Sequence, residues 1–320
     1  MTPFKRCTDI KHFPSAKYQT RHARSLERDS EASRFGRARH RKGFTLMALL
    51  VGDIMPPNVY LAWGLPIDAE AFKLSGGMNR SIRVGSIVYK PVGDIVEATW
   101  CQECLSQLTP DQFGIAHPVR SLRGHWAESG WIASRWVEGV GGPQWHWNEI
   151  LEVSQRFHRA LGSVIKPPFL LKRSHRWAVA DRAAWREASI QWLPKTISRV
   201  RILDELWKPL NLSPQVIHGD MSGNVLFSSG QTPAVIDFSP YWRPAAFADA
   251  VILMDGMLWY AWDEVVPLIP QTPTFLQLLV RAALFRLGAL NERARMTDPD
   301  CLDELPTFDR AIAWLADKAG

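Results

Sequence analysis

The sequence predicts an α+β protein of two lobes, a small antiparallel-sheet lobe with one helix followed by a mainly helical lobe. Three observations carry that prediction. Between residues 72 and 92 apolar residues alternate and Gly-containing turns punctuate them, the pattern of paired strands. Beyond about residue 147 the apolar spacing becomes helical almost to the C-terminus. Within that helical half stand two short apolar runs, "NVLF" and "AVIDF", separated by the turn-rich "SSGQTP".

Taken in chain order, residues 1–46 read as a basic, disordered tail, because "RHARSLERDSEASRFGRARHRK" has few apolar residues and no periodicity. "MPPNVYLAWGLP" then offers a short amphipathic segment bracketed by prolines. "FKLSGGMNRSIRVGSIVYKPV" is the hairpin region, and Ser86 to Val92 carries a run typical of a buried strand. From Asp94 to Leu108 the apolar residues Val96, Trp100, Cys104 and Leu108 recur at helical spacing, so one helix packs by one face. "AHPVRS" and "GWIASRWVEGVGG" read as short strands running into a Gly-rich connection at 139–142, where the first lobe ends. The strongest helical pattern runs from Trp147 to Val164, with further helices around 179–192 and 195–207. After the two short strands, helices resume at about 245–264, 274–290 and 307–318. The expected organisation is a tail (1–46), an N-lobe (47–140) and a C-lobe (141–320), with ligands in the cleft between lobes.

A chain of 320 residues, 46% hydrophobic and with 15 Trp, has enough apolar material for a large core and is not a disordered protein. Its formal net charge of +6 points to nucleic acid only until the charge is located. Residues 1–43 hold 12 Lys/Arg against 4 Asp/Glu, and the remainder holds 26 against 28, so contact with nucleic acid is limited to weak binding by the tail. Four Cys (Cys7, Cys101, Cys104, Cys301) make no disulfide framework in a chain of this size and fit a reducing, cytoplasmic compartment. "WCQEC" has dithiol spacing but lies inside a helix, so both sulfurs are expected to pack as small apolar groups. No stretch approaches the ~18–20 apolar residues that span a bilayer, so no membrane partner is expected.

The chemistry concentrates in "VIHGDMSGNVLF", which places Asp220 and Asn224 in a connection barely long enough to turn around. Thirteen residues after Asn224, Asp237 emerges from the apolar run "VIDF", where a carboxylate needs a partner. A hairpin of the two short strands brings Asn224 and Asp237 together as oxygen ligands of the kind Mg²⁺ takes, leaving Asp220 one loop away to receive a proton. In-line phosphoryl transfer depends mostly on such positioning and charge neutralisation.

"HGDMSGN" (His218 to Asn224) and "IDF" (Ile236 to Phe238) resemble the H-G-D-x-x-x-x-N and metal-binding Asp motifs of the aminoglycoside phosphotransferase and choline kinase group, within the protein-kinase-like superfamily. "DFSPYWRPAAFADAV" and "MPP…AWGL" are similar to one bacterial subgroup of these phosphotransferases. The resemblance implies a protein-kinase-like bilobal fold and an ATP-dependent, Mg²⁺-assisted transfer to a hydroxyl of a small molecule. It further implies that Lys90, in "GSIVYKPV", meets the α- and β-phosphates. Glu103 is its expected ion-pair partner, preferred over Glu97 for its mid-helix position. Gly76 and Gly77 in "SGGMNRSIRVG" would form the phosphate-covering turn, and Trp136, Val137 and Glu138 the hinge that meets an adenine edge. Many aminoglycoside and choline kinases carry a second His two residues after the Asp, where this chain has Ser222, and Ser239 follows the Asp-Phe pair.

Other candidates have structural readings. His158 is expected to be a hydrogen-bonded core histidine, Asp249 a residue favoured by a helix start, and Arg243 either a phosphate or acceptor contact or a cation stacked on an aromatic. Asp255, Asp263 and Glu264 are weighed as facing a cationic acceptor, against a solvated helix face. A second functional reading is a degenerate kinase fold that binds nucleotide and acts as a regulatory module.

Overall fold

The computed structural model describes residues 49–74, 80–143 and 145–319, so the tail and the Gly76–Gly77 turn lie outside the described residues. The alternating segment forms a sheet. Strands β1 (Leu49–Leu50), β2 (Glu70–Lys73), β3 (Ile82–Val84), β4 (Ile87–Pro91), β6 (Pro118–Val119), β7 (Ala127–Glu128) and β8 (Trp131–Arg135) pair antiparallel in the order β1-β2-β3-β4-β8-β6, with β7 also on β8. Period-two alternation puts Ala71, Ile82, Val84, Tyr89 and Ala133 on a buried side, where they pack with Val51, Val59 and Trp63 from the helices α1 (Val51–Ile54) and α2 (Pro57–Ala62).

The expected helix is α3 (Ile95–Gln107), capped by Asp94, whose Oδ1 accepts from Glu97 N–H at 3.0 Å. Cys101 and Cys104 are buried in it, and burial pushes the Cys104 thiol up to about 11, as suits inert packing groups. Cys104 and Leu105 join the core of the second half of the chain rather than that of the first sheet.

Two further strands from before residue 142 also belong to that second half. Strand β5 (Gly114–Ile115) and strand β9 (Val140–Gly141) flank β11 (Val225–Phe227) and β12 (Ala234–Val235) in the order β5-β12-β11-β9, with β5 parallel to β12. Gly139 has a φ of +147°, and a Cβ there would lie 2.9 Å from Phe227 O, so the Gly-rich connection is what lets β9 close on β11. A pair the sequence did not announce, β10 (Gln215–His218) with β13 (Pro240–Arg243), sits beside them; each strand is only four residues long and β13 opens on proline.

Helices supply the rest: α4 (Trp147–Ala160), α5 (Arg176–Ala184), α6 (Pro194–Leu206), α7 (Ala245–Asp255), α8 (Trp262–Val265), α9 (Pro273–Met296) and α10 (Leu305–Ala319). The single helix expected at 245–264 is broken by a π turn, Gly256–Tyr260, which turns the chain away after Asp255. Helix α9 corrects another expectation. By length and composition it is apolar enough to cross a bilayer, yet 89% of its apolar window is buried inside the fold, against α5, α6, α7 and α10. It is the central core helix.

Candidate active site at the ends of the short strands

The two strand pairs aim three side chains at one place. Asp220 lies two residues beyond β10, Asn224 directly precedes β11, and Asp237 lies two residues beyond β12. Asn224 O accepts from Ile236 N–H at 2.9 Å, which seats Asn224 beside Ile236 and Asp237. Its Nδ2 donates to Asp220 O at 2.7 Å and lies 3.4 Å from Asp220 Oδ2. From the first sheet, Lys90 Nζ donates to Asp237 Oδ1 at 2.6 Å. Asp237 has a φ of +50°, the left-handed region a non-glycine residue avoids at a cost of about 1–3 kcal/mol. That local strain turns its carboxylate out of the apolar strand.

Buried groups fix the loop. His218 Nδ1 accepts from Asp220 N–H (3.2 Å), so its Nε2–H donates to Ile236 O (3.2 Å), and one ring ties the Asp220 loop to the Asp237 strand. Behind it, His158 Nε2 accepts from His218 N–H (2.9 Å); His158 Nδ1–H therefore donates to Ser154 Oγ (3.2 Å), and Ser154 donates to Asp249 Oδ1 (2.6 Å). Each donor meets one acceptor. Burial, with His218 nearby, pushes the His158 pKa down to about 3, and burial likewise lowers that of His218, so both rings work as neutral spacers. Asp249 is not at a helix start: it is buried mid-way along α7, and burial lifts its pKa to about 6 against the bonds from Ser154 and Gln155. Gly219 is required between His218 and Asp220, because a Cβ there would lie 2.3 Å from the Tyr241 ring.

Sequence reasoning missed Arg286. This α9 residue, nearly fully buried, binds Asp255 through Nε and Nη2 at 2.6 Å each and reaches Asp220 Oδ1 with Nη2 at 3.1 Å. Ser222 Oγ donates to Asp255 Oδ2 at 2.7 Å. Burial opposes the charge on Arg286, but Asp255 and Asp220 outweigh it and hold the guanidinium ionised. An Arg within the apolar run "RAALFRLGAL" was the available signal, since a buried cation demands a carboxylate.

Other expectations fare differently. Lys90 pairs with Asp237, and the expected Lys90–Glu103 pair is not formed: Glu103 is on the exposed side of α3. Glu97, on the side of Cys101, is partly buried and pairs with Arg173 at 2.9 Å. Burial and then Glu97 push the Cys101 thiol up while Arg173 and Lys90 pull it back, so Lys90 and Glu97 act on one spot. Trp136 N–H is bonded to Ser86 O (2.8 Å), its indole donates to Glu138 Oε1 (2.6 Å), and Arg83 covers its ring at 4.2 Å; Val137 follows it without regular structure. Arg243 is a packing residue, stacked on Trp185 and chelated by Asp181 and Glu187. Asp255 is spent on Arg286, and Asp263 is exposed beside Arg310 (3.8 Å).

This fold, a small antiparallel sheet with one helix joined to a helical half, is that of the protein-kinase-like phosphotransferases. The profile of the phosphotransferase enzyme family, APH, matches residues 103–297, and the chain belongs to that family. Solved structures agree on the fold. A choline/ethanolamine kinase family protein from Mesorhizobium loti superposes with a TM-score of 0.53 at 14% identity, covering 81% of this chain and 92% of that one. A thermostable mutant of aminoglycoside phosphotransferase APH(4)-Ia, solved with ADP and hygromycin B, gives 0.52 at 14% identity, covering 80% and 96%. The AMP-bound spectinomycin phosphotransferase APH(9)-Ia gives 0.50 at 13%, covering 81% and 96%. No curated protein matches by sequence.

Proposed function

We propose that the protein transfers the γ-phosphate of magnesium-bound ATP to a hydroxyl of a small molecule. The observation that carries this reading is the convergence of Lys90, paired with Asp237, and Asn224, bonded to Asp220 and to Ile236, the neighbour of Asp237, from both halves of the fold. Nucleotides bound by the structural relatives support the choice of donor.

Asp220 orients the acceptor hydroxyl and takes its proton as the O–H bond breaks. The acceptor oxygen then bonds to the γ-phosphorus, and the bond to the bridging oxygen breaks to leave ADP. Asn224 and Asp237 hold the magnesium ion. The donor set fits a hard cation: with Asn224 Nδ2 engaged by Asp220, the amide presents Oδ1, and Asp237 adds carboxylate oxygens. When bound, the ion neutralises charge on the phosphates. Lys90 exchanges Asp237 for the α- and β-phosphates; Glu103, its expected carboxylate partner, is exposed, and Glu97 is paired with Arg173. Because Trp136 N–H is already used, the adenine edge meets backbone groups at Val137 and Glu138.

The test is ATP consumption over a panel of hydroxyl acceptors by wild type and Asp237→Ala. We expect turnover to fall at least ~100-fold in the variant, the scale of losing a transition-state charge partner; undiminished turnover removes the metal assignment. Magnesium-dependent ATP binding with no turnover on any acceptor moves the reading to a non-catalytic nucleotide-binding module.

A further inference from the structure

We infer that the phosphate acceptor carries an anionic group of its own, a carboxylate or a phosphate, and that this group sits in the cavity between residues 166–187 and β13. The inference rests on the phosphotransfer reading above and deepens it by fixing the charge of the acceptor.

The cavity adjoins the catalytic loop. Tyr241 lines it, and the Tyr241 ring is pressed against Gly219, the residue before Asp220. Arg173, whose guanidinium lies 5.0 Å from the Tyr241 ring centre, donates through Nη1 to Pro240 O at 2.5 Å, and Pro240 is paired in register with His218. Its volume of about 50 Å³ holds roughly three or four waters, room for a carboxylate or phosphate group.

Its charge is one-sided once internal pairs are removed. Four cations (Lys166, Arg173, Arg182, Arg243) and two carboxylates (Asp181, Glu187) line it. Both carboxylates turn to Arg243: Asp181 at 2.9 and 2.7 Å, Glu187 at 2.5 and 2.8 Å. Among the described residues, Lys166 and Arg182 therefore face the cavity without a carboxylate partner in its lining, while Arg173 is paired from outside it with Glu97 at 2.9 Å. Arg173 is the telling one. Its side chain is only 8% exposed and its Nη groups are bonded, yet its Nε is buried with no partner, a state folded proteins avoid unless a ligand or water meets the donor. The field is felt nearby: burial and then Arg173, Arg182 and Arg176 push the His175 pKa down to about 4.

Among the described residues that line this cavity, both carboxylates are already paired, Asp181 and Glu187 with Arg243, which leaves none for a cationic acceptor in it. A wall of Lys166, Arg182 and the unpartnered Nε of Arg173 suits a carboxylate or a phosphate held by single charge-assisted hydrogen bonds.

Two measurements test this. Calorimetric titration of inorganic phosphate, and separately of glycerate, into nucleotide-free protein should show binding that weakens at least tenfold in Arg182→Gln and in Lys166→Gln, with partial recovery in Arg182→Lys; the two probes separate phosphate from carboxylate. Turnover over hydroxy acids, sugar phosphates, choline and an aminoglycoside should favour one of the anionic classes. Arg182→Gln should raise the acceptor KM tenfold or more and leave kcat and the ATP KM unchanged. Absence of anion binding, equal binding by the variants, or turnover confined to choline or the aminoglycoside overturns the inference and leaves the phosphotransfer reading standing. Phosphate binding through Arg182 without magnesium-ATP binding instead overturns phosphotransfer, and the acceptor assignment with it.

Discussion

Asp220 and Asp237 stand at the ends of neighbouring strand pairs, and the protein holds them in opposite ways. Asp220 rests on Arg286, a guanidinium sunk in the core and braced by the buried Asp255 and by Ser222. Asp237 is held by Lys90, which arrives from the other sheet, and these two side chains are 39% and 41% exposed. The difference teaches which half of the site is built in advance. Asp220 is itself 55% exposed, but the Arg286–Asp255 pair beneath it is buried and stays made whatever Asp220 meets. The Lys90–Asp237 pair is solvent-screened, and a ligand can replace it at little cost.

The sharpest way to break the contrast is Arg286→Ala. It strands the Asp255 carboxylate and should lower the unfolding free energy by about 3–5 kcal/mol, read by urea denaturation. A loss under about 1 kcal/mol would show that the core does not depend on this pair.

A smaller effect comes through pH. The folded pKa of His158 is depressed to about 3 from the ordinary 6.5, so its contribution to stability is complete above pH 6.5 and is lost as the pH falls toward 3. Asp249, raised to about 6, works the other way: its contribution is complete below its ordinary 3.8 and fades as pH rises through 6. One buried imidazole adds a slope of up to about 1.4 kcal/mol per pH unit, so His158→Gln should lose less stability than wild type between pH 6.5 and 4. Parallel thermal melts across that interval would contradict the neutral-histidine relay.

Smallest of all is Lys90→Met, which should change stability by less than about 1 kcal/mol while weakening ATP binding measured by calorimetry. If the protein instead unfolds readily, the two aspartates are held alike after all.

Much of this site was legible because its residues are close in sequence. His218 to Asn224 and Ile236 to Phe238 lie on one turn and one hairpin, and Lys90 falls on a strand that alternation alone predicts. What stayed hidden is tertiary. Arg286 is 66 residues from Asp220, and no local pattern says which carboxylate an Arg in an apolar helix will meet. Strands β10 and β13 are too short to show a period. Glu97 was within reach: Glu97, Cys101 and Cys104 follow i, i+4, i+7 spacing on one face of α3, and the buried cysteines mark that face as inward. Glu103 lies off that face, exposed, and forms no pair with Lys90.

The parallel pairing of β5 with β12 has a consequence for how the chain reaches this state. Gly114 meets Ala234 only after 120 further residues have left the ribosome, so the sheet that carries Asp237 is among the most non-local contacts in the molecule. High contact order slows folding and leaves edges open to misassembly meanwhile. Synthesis stalled between the halves would therefore leave a nascent chain whose first strands are made but whose β11–β12 hairpin has yet to exist.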